Sequence, residues 1–304
     1  MIKALSTALT SIAVLSFIAL AIEASDNFTV NHGTNQTITA HSTCQKVTNN
    51  SSTNLSVYVP TQTSAEWQSF RDNPPSGVTL ASCSCTTPSY TGVHFDTAGS
   101  GAANPQGLAW DGTYFWVADT TDSRVYRYNA NGSYSGFSFS TSGAGATSIS
   151  GVAWNGTYFW VTDFADDRVY RFNANGTYSN FSFDTAGSGN TRPYGIVWDG
   201  TYFWIVNNSG GRVYRHNANG SYSGFSFASS AHYGIAWDGT YFWITTTPDL
   251  TNGRVYRYNA NGTGGTFFNI GGSGNGYPNG IVWDGTALWV VDVTDAEVYK
   301  YACS

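Results

Sequence analysis

Seven residues, Trp110-Asp111-Gly112-Thr113-Tyr114-Phe115-Trp116, recur along this chain and constrain what it can fold into. They return as Trp154 to Trp160, as Trp198 to Trp204, as Trp237 to Trp243 and, altered, as Trp283-Asp284-Gly285-Thr286-Ala287-Leu288-Trp289. The five copies hold ten of the eleven tryptophans. Such self-similarity marks a repeat array, in which each unit buries its apolar face only against its neighbours.

Each copy opens a longer unit. The units begin at Gly107, Gly151, Gly195, Gly234 and Gly280, spaced by 44, 44, 39 and 46 residues. In the first, Leu108 to Trp110 is short and apolar, and Tyr114 to Ala118 is aromatic and β-branched. Arg124 to Tyr128 alternates polar with apolar, and Tyr134 to Phe139 alternates aromatic with small residues. These patterns suit strands on a pleated surface. Asn129-Ala130-Asn131-Gly132 reads as a hairpin turn, and Asp111-Gly112 as a tight one with positive φ at both central residues. Four strands per unit at this period make one blade of a β-propeller.

The last unit runs out after three strands. A spare strand lies upstream, Ser89 to Gly101, and matches Thr177 to Gly189 nearly position for position. The expected fold is therefore all-β, a five-bladed β-propeller of four-stranded antiparallel blades over residues 87–304. Its last blade is completed by the N-terminal strand 90–96, which leaves no open sheet edge.

Ahead of the propeller, residues 1–24 carry one lysine and a mostly apolar run, which predicts an apolar helix. It reads as a secretory signal peptide with Ala19-Leu20-Ala21 as cleavage site, as a retained helix, or as a membrane anchor. Residues 25–86 read as an Asn/Ser/Thr-rich stalk and a small module, with one short helix around Ala65 to Arg71. The four cysteines, Cys44, Cys83, Cys85 and Cys303, allow three pairings. Cys83 and Cys85 point apart in an extended chain. The favoured pairs are Cys44 with Cys83, closing the module, and Cys85 with Cys303, joining entry to exit. Metal binding is the rival reading. Twelve Asn-x-Ser/Thr sequons are present; Asn27, Asn35, Asn50, Asn54, Asn180 and Asn207 are the glycosylation candidates. Asn131, Asn175, Asn219 and Asn261 sit in Asn-Gly turns instead.

Charged residues are 11% of the chain and the net charge is −6, which argues against a nucleic-acid partner. Asp119, Asp163 and Asp292 end the second strand of three blades, and Arg124, Arg168, Arg212 and Arg254 open the following strand. They read as loop-pinning carboxylate–guanidinium contacts, or as an acidic ring able to hold Ca²⁺. No cofactor is required; Ca²⁺ is the one ion these positions would suit. The ten repeated tryptophans read as wedges packed between blades, and any that reach a rim as a platform for sugars.

The pattern GIAxDGxxxWVADxxxxRVYRYxxxG resembles NHL-type and related secreted propellers over about residues 90–303. That resemblance implies the fold, and six blades rather than five in its relatives. The functions it implies range over lyases, hydrolases and plain binders. Lys3-Ala4-Leu5-Ser6 resembles the cleavage motif of archaeal pilin-like precursors, and the segment from Val59 to Cys83 resembles cysteine-bracketed parts of pilin-like surface proteins. That resemblance implies a helix kept on the mature chain and packed in a filament core.

First and third turns barely differ between units, whereas second turns and inter-blade loops differ in every one. In an up-and-down blade these two sets lie on opposite faces. Variation on one face of a rigid scaffold points to recognition, with Arg192, Tyr194, His232, Tyr233, Asp249 and Tyr277 as the candidate contacts. Of the five histidines only His232 falls on that face, and no Ser-His-Asp order or phosphate loop is present. The leading expectation is an extracellular or cell-surface binding protein recognising a glycan or a surface protein. A pilus-like filament subunit that meets copies of itself, and a secreted propeller lyase or hydrolase, are the alternatives. Membrane contact is expected only through residues 1–24, during export or anchoring.

Overall fold

A computed structural model describes residues 36–40, 45–49, 78–82, 87–248 and 252–302. The apolar helix expected over 1–24, the helix around Ala65, all four cysteines and Asp249 lie outside the described residues. So do Asn27, Asn35, Asn50 and Asn54. Among the described residues no helix is long and apolar enough to cross a membrane. The chain divides into two units, the first ending at Thr86 and the second beginning at Thr87. In the first, β1 (Gln36–Ala40), β2 (Gln45–Asn49) and β3 (Val78–Ser82) form one antiparallel sheet.

The second unit consists of five four-stranded antiparallel sheets. Blade 1 is β5 (Pro105–Trp110), β6 (Tyr114–Asp119), β7 (Arg124–Asn129) and β8 (Tyr134–Ser140). Blade 2 is β9 (Ile149–Trp154), β10 (Tyr158–Asp163), β11 (Arg168–Asn173) and β12 (Tyr178–Asp184). Blade 3 is β13 (Pro193–Trp198), β14 (Tyr202–Asn207), β15 (Arg212–Asn217) and β16 (Tyr222–Ala228). Blade 4 is β17 (Ile235–Trp237), β18 (Tyr241–Thr246), β19 (Arg254–Asn259) and β20 (Gly264–Asn269). Blade 5 takes β21 (Pro278–Trp283), β22 (Leu288–Asp292) and β23 (Glu297–Ala302) from the end of the array, and β4 (Ser89–Asp96) from its beginning. The closing register pairs Val298 with Phe95 and Tyr301 with Tyr90, as the spare strand required.

The repeated tryptophans divide into two sets. Trp116, Trp160, Trp204, Trp243 and Trp289, on the second strands, are 2–5% exposed. Four of them meet the phenylalanine of the following blade with centroids 4.3 to 4.8 Å apart, as Trp116 meets Phe159 and Trp289 meets Phe115. Each such pair contributes about 0.5–1.5 kcal/mol beyond the area it buries. The other five, at the ends of the first strands, are only half-buried and face the axis. The wedge reading thus holds for one set.

Glycine opens every unit because the inner strands touch backbone to backbone. A Cβ on Gly151 would lie 2.3 Å from the Tyr194 carbonyl oxygen, and one on Gly234 2.2 Å from that of Asn279. Gly107, Gly195 and Gly280 meet the next strand in the same way, so no side chain fits anywhere in this ring.

The first turns depart from the expected two-residue form. Only the glycine takes positive φ, +98° at Gly112, and the aspartate does not. Asp111 instead accepts hydrogen bonds from the Thr113 and Tyr114 amides through Oδ1, an Asx turn, while its Oδ2 accepts from Trp116 Nε1.

Candidate functional site

The second turns and inter-blade loops do share a face, and in four of the five blades a backbone bond ties the two. Thr120 donates to the Asn104 carbonyl, Phe164 to Ser148, Asn208 to Arg192 and Val293 to Tyr277, at 3.0 to 3.4 Å. The strand-ending aspartates complete the tie. Asp119 accepts from the Asn104 and Thr121 amides, Asp163 from Thr147, Ser148 and Ala165, and Asp292 from Tyr277 and Thr294. This corrects the guanidinium reading. The arginines Arg124, Arg168 and Arg212 donate instead to serines of the fourth strand, at 2.8 to 3.0 Å through Nη2. These three carboxylates stand in separate blades, at most 1% exposed, with their oxygens turned to N–H donors. Among the described residues no three His, Cys, Asp or Glu side chains gather as a metal site. Burial raises the Asp119 carboxyl above its ordinary value, against the lowering effect of those amide bonds.

At the axis this face bears an aromatic chain. Tyr194 lies 5.6 Å from Tyr233, which lies 5.9 Å from Tyr277, and Phe164 stacks on the other side of Tyr194 at 6.1 Å. The exposed Arg192 places its guanidinium carbon 5.5 Å above the Phe164 ring. Tyr194 stands in blade 3, yet its hydroxyl donates to Gln106 Oε1 of blade 1 at 2.5 Å and accepts from Asn279 Nδ2 of blade 5 at 3.3 Å. Neither blade is its neighbour, so the side chain crosses the channel mouth. Asn279 Nδ2 also donates to Gln106 Oε1, and Gln106 Nε2 donates to Asn104 Oδ1 at 2.7 Å. Asn279 is 1% exposed, and its Oδ1 has no protein partner.

Burial pushes the Tyr194 phenol up to about 12 and raises that of Tyr233 as well. Both remain neutral O–H donors across the physiological range. Burial lowers the His232 imidazole below its ordinary value, so it is neutral too, and its Nδ1 is buried without a partner. The cluster can stack on flat or C–H-rich surfaces and exchange neutral hydrogen bonds.

Of the residues singled out from the sequence, the structure brings Arg192, Tyr194, Tyr233 and Tyr277 into one cluster. His232 lies at its edge, its backbone oxygen accepting from Asn208 Nδ2 at 3.1 Å. Phe164, Gln106 and Asn279 were missed. A signal for two of them was present. The residue before each repeat-opening glycine reads Gln106, Ser150, Tyr194, Tyr233 and Asn279, five positions with four identities beside an invariant neighbour. Of the sequon candidates described, Asn180 is exposed. Asn207 is 3% exposed, with Nδ2 donating to the Gly189 carbonyl, which makes it a loop pin.

This architecture is that of a β-propeller repeat protein. No family model matches the chain, and no curated protein matches it. Among solved structures it is similar to glutaminyl cyclase of Myxococcus xanthus, with 10% identity, 70% of this chain and 95% of that one covered, and a TM-score of 0.57. It is also similar to virginiamycin B lyase of Staphylococcus aureus, with 15% identity over 90% and 93% of the two chains and a TM-score of 0.43. A nidogen/laminin complex follows with 14% identity, 86% of each chain covered and a TM-score of 0.47. At these identities the likeness is one of fold.

Proposed function

We propose that the chain is an exported binding protein that presents the propeller at the cell surface or outside the cell, with a glycan as its ligand. The observation that carries this reading is the Tyr194–Tyr233–Tyr277 chain laid across the channel mouth, beside the unpartnered Asn279 Oδ1. Aromatic faces take up the C–H faces of a sugar, and neutral hydroxyl and amide groups match its hydroxyls, with the Arg192 guanidinium over Phe164 as a further donor. The NHL-type pattern of the repeats is compatible with this use, and the apolar residues 1–24 supply the export signal or tether.

The test is a glycan array followed by calorimetry on any hit. Wild type is compared with a Tyr194→Ala/Tyr233→Ala variant of unchanged melting temperature. Loss of two stacking faces is expected to weaken binding by tenfold or more, since aromatic contacts of this kind contribute about 1 kcal/mol each. A wild-type protein that binds no glycan on the array sinks the reading.

A further inference from the structure

The opposite end of the channel is lined by the first-strand tryptophans. Just past the glycine ring the axis opens into a cavity of about 120 Å³. Its walls are Leu108, Val152, Ile196, Ile235 and Ile281, and its rim is the half-buried tryptophan set, Trp110, Trp154, Trp198, Trp237 and Trp283. The lining residues carry no ionisable group. Four of the rim indoles are backed by a phenylalanine at 4.6 Å, as Trp110 is by Phe115, so they are held in place before any ligand arrives. A dry cavity near 150 Å³ holds a ligand the size of benzene, so this one suits a small, compact head group.

The next residue in the chain gives the cup its polarity. Asp111, Asp199, Asp238 and Asp284 directly follow rim tryptophans, and Asn155 stands at the fifth place. Each of the four carboxylates is held by neutral N–H donors of its own turn and of a second-strand indole. The negative charges therefore stay beside the rim. The arginines one layer out lie over the second-strand rings and not over the rim indoles, Arg127 at 4.5 Å from the Tyr114 centroid and 5.8 Å from that of Trp116, and Arg171 at 4.5 Å from Tyr158 and 5.7 Å from Trp160. Aromatic rings around a cup that holds no ionisable side chain, with carboxylates behind them, form the environment that favours a soft organic cation over a neutral group of the same shape.

We propose that this cup binds a quaternary-ammonium head group. The site is separate from the tyrosine cluster and does not depend on what that cluster recognises. Tetramethylammonium and choline are titrated into the full chain at constant ionic strength, with tryptophan fluorescence and calorimetry as readouts. The control is the uncharged analogue of choline with a quaternary carbon in place of the nitrogen. Saturable single-site binding is expected, with choline about tenfold tighter than its neutral analogue. Trp154→Leu is expected to weaken both. Asp199→Asn, a change whose product already occurs naturally at position 155, is expected to weaken the cation several-fold and leave the neutral analogue unaffected. The Tyr194→Ala/Tyr233→Ala variant is expected to bind choline as wild type does. Absence of saturable binding, equal affinity for the neutral analogue, or an Asp199→Asn variant with unaltered choline affinity overturns the proposal.

Discussion

Replacing Asn155 by aspartate is expected to stabilise the propeller. In blades 1, 3, 4 and 5 the second-strand indole donates to the aspartate of the first turn at 2.6 to 2.7 Å. In blade 2 the residue is Asn155, whose Oδ1 already accepts from the Thr157 and Tyr158 amides. Its amide nitrogen cannot accept from a second donor, and Trp160 Nε1 is left buried without a partner in a side chain 2% exposed. An unpaired buried donor costs about 1–3 kcal/mol, and a hydrogen bond to a charged acceptor contributes about 1.5–3 kcal/mol. The carboxylate must be partly desolvated, so we expect a net gain of about 1–2 kcal/mol. In a domain of this size that raises the melting temperature by roughly 2–8 °C. The assay is thermal and denaturant unfolding of protein from a host without N-glycosylation, because Asn155-Gly156-Thr157 is also a sequon. The reciprocal change, Asp199→Asn, is expected to cost a similar amount. If Asn155→Asp leaves stability unchanged and Asp199→Asn costs nothing, the reasoning fails, and the Trp160 N–H is satisfied by solvent.

Further expectations come from the same comparison between blades. Asn190 is fully buried with both amide atoms unpartnered, at a place where blades 1, 2 and 4 carry Ala102, Ala146 and Ala231, so Asn190→Ala is expected to stabilise by about 1 kcal/mol in denaturant titrations. Gly195→Ala sets a Cβ 2.4 Å from the Tyr233 carbonyl oxygen and is expected to cost 3 kcal/mol or so, whereas Gly143→Ala, with nothing within 4 Å, is expected to change stability by less than about 0.5 kcal/mol. Burial lowers the His216 imidazole below its ordinary value. The unfolded chain therefore takes up the proton first as acid is added, and this contribution is complete above the unfolded value of about 6.5 and declines below it. His216→Phe, the residue found at the matching position 172, is expected to lose less stability than wild type between neutral pH and pH about 5; an identical loss in both proteins would refute it.

The blade count, the strand order and the closing register were legible because the repeat states them five times and the spare strand matches a known fourth strand. The arginine partners were not. Asp119 and Arg124 are cross-strand neighbours, and opposite charges at that spacing suggest a pair, but the buried carboxylate meets loop amides first, and the guanidinium reaches outward to Ser138. The two tryptophan sets could not be told apart by composition, because each indole sits next to the same turn. Position within the blade, innermost or second, decides which is a wedge and which faces the axis. Gln106 and Asn279 hold the same place as Tyr194, directly before the repeat glycine, but an amide side chain there carries no aromatic signal of recognition.

The pairing of Ser89 with Ala302 also sets how the disc answers to pulling. Tension entering ahead of Ser89 and leaving after Ala302 acts on two chain ends lying side by side at one edge of the outer hairpin. Antiparallel strands loaded in that way come apart rung by rung, like a zipper, and do not resist together as they would in shear. With Cys85 and Cys303 reduced, blade 5 is therefore expected to peel first and open the ring there, while the other four blades, each a continuous run of chain, stay intact.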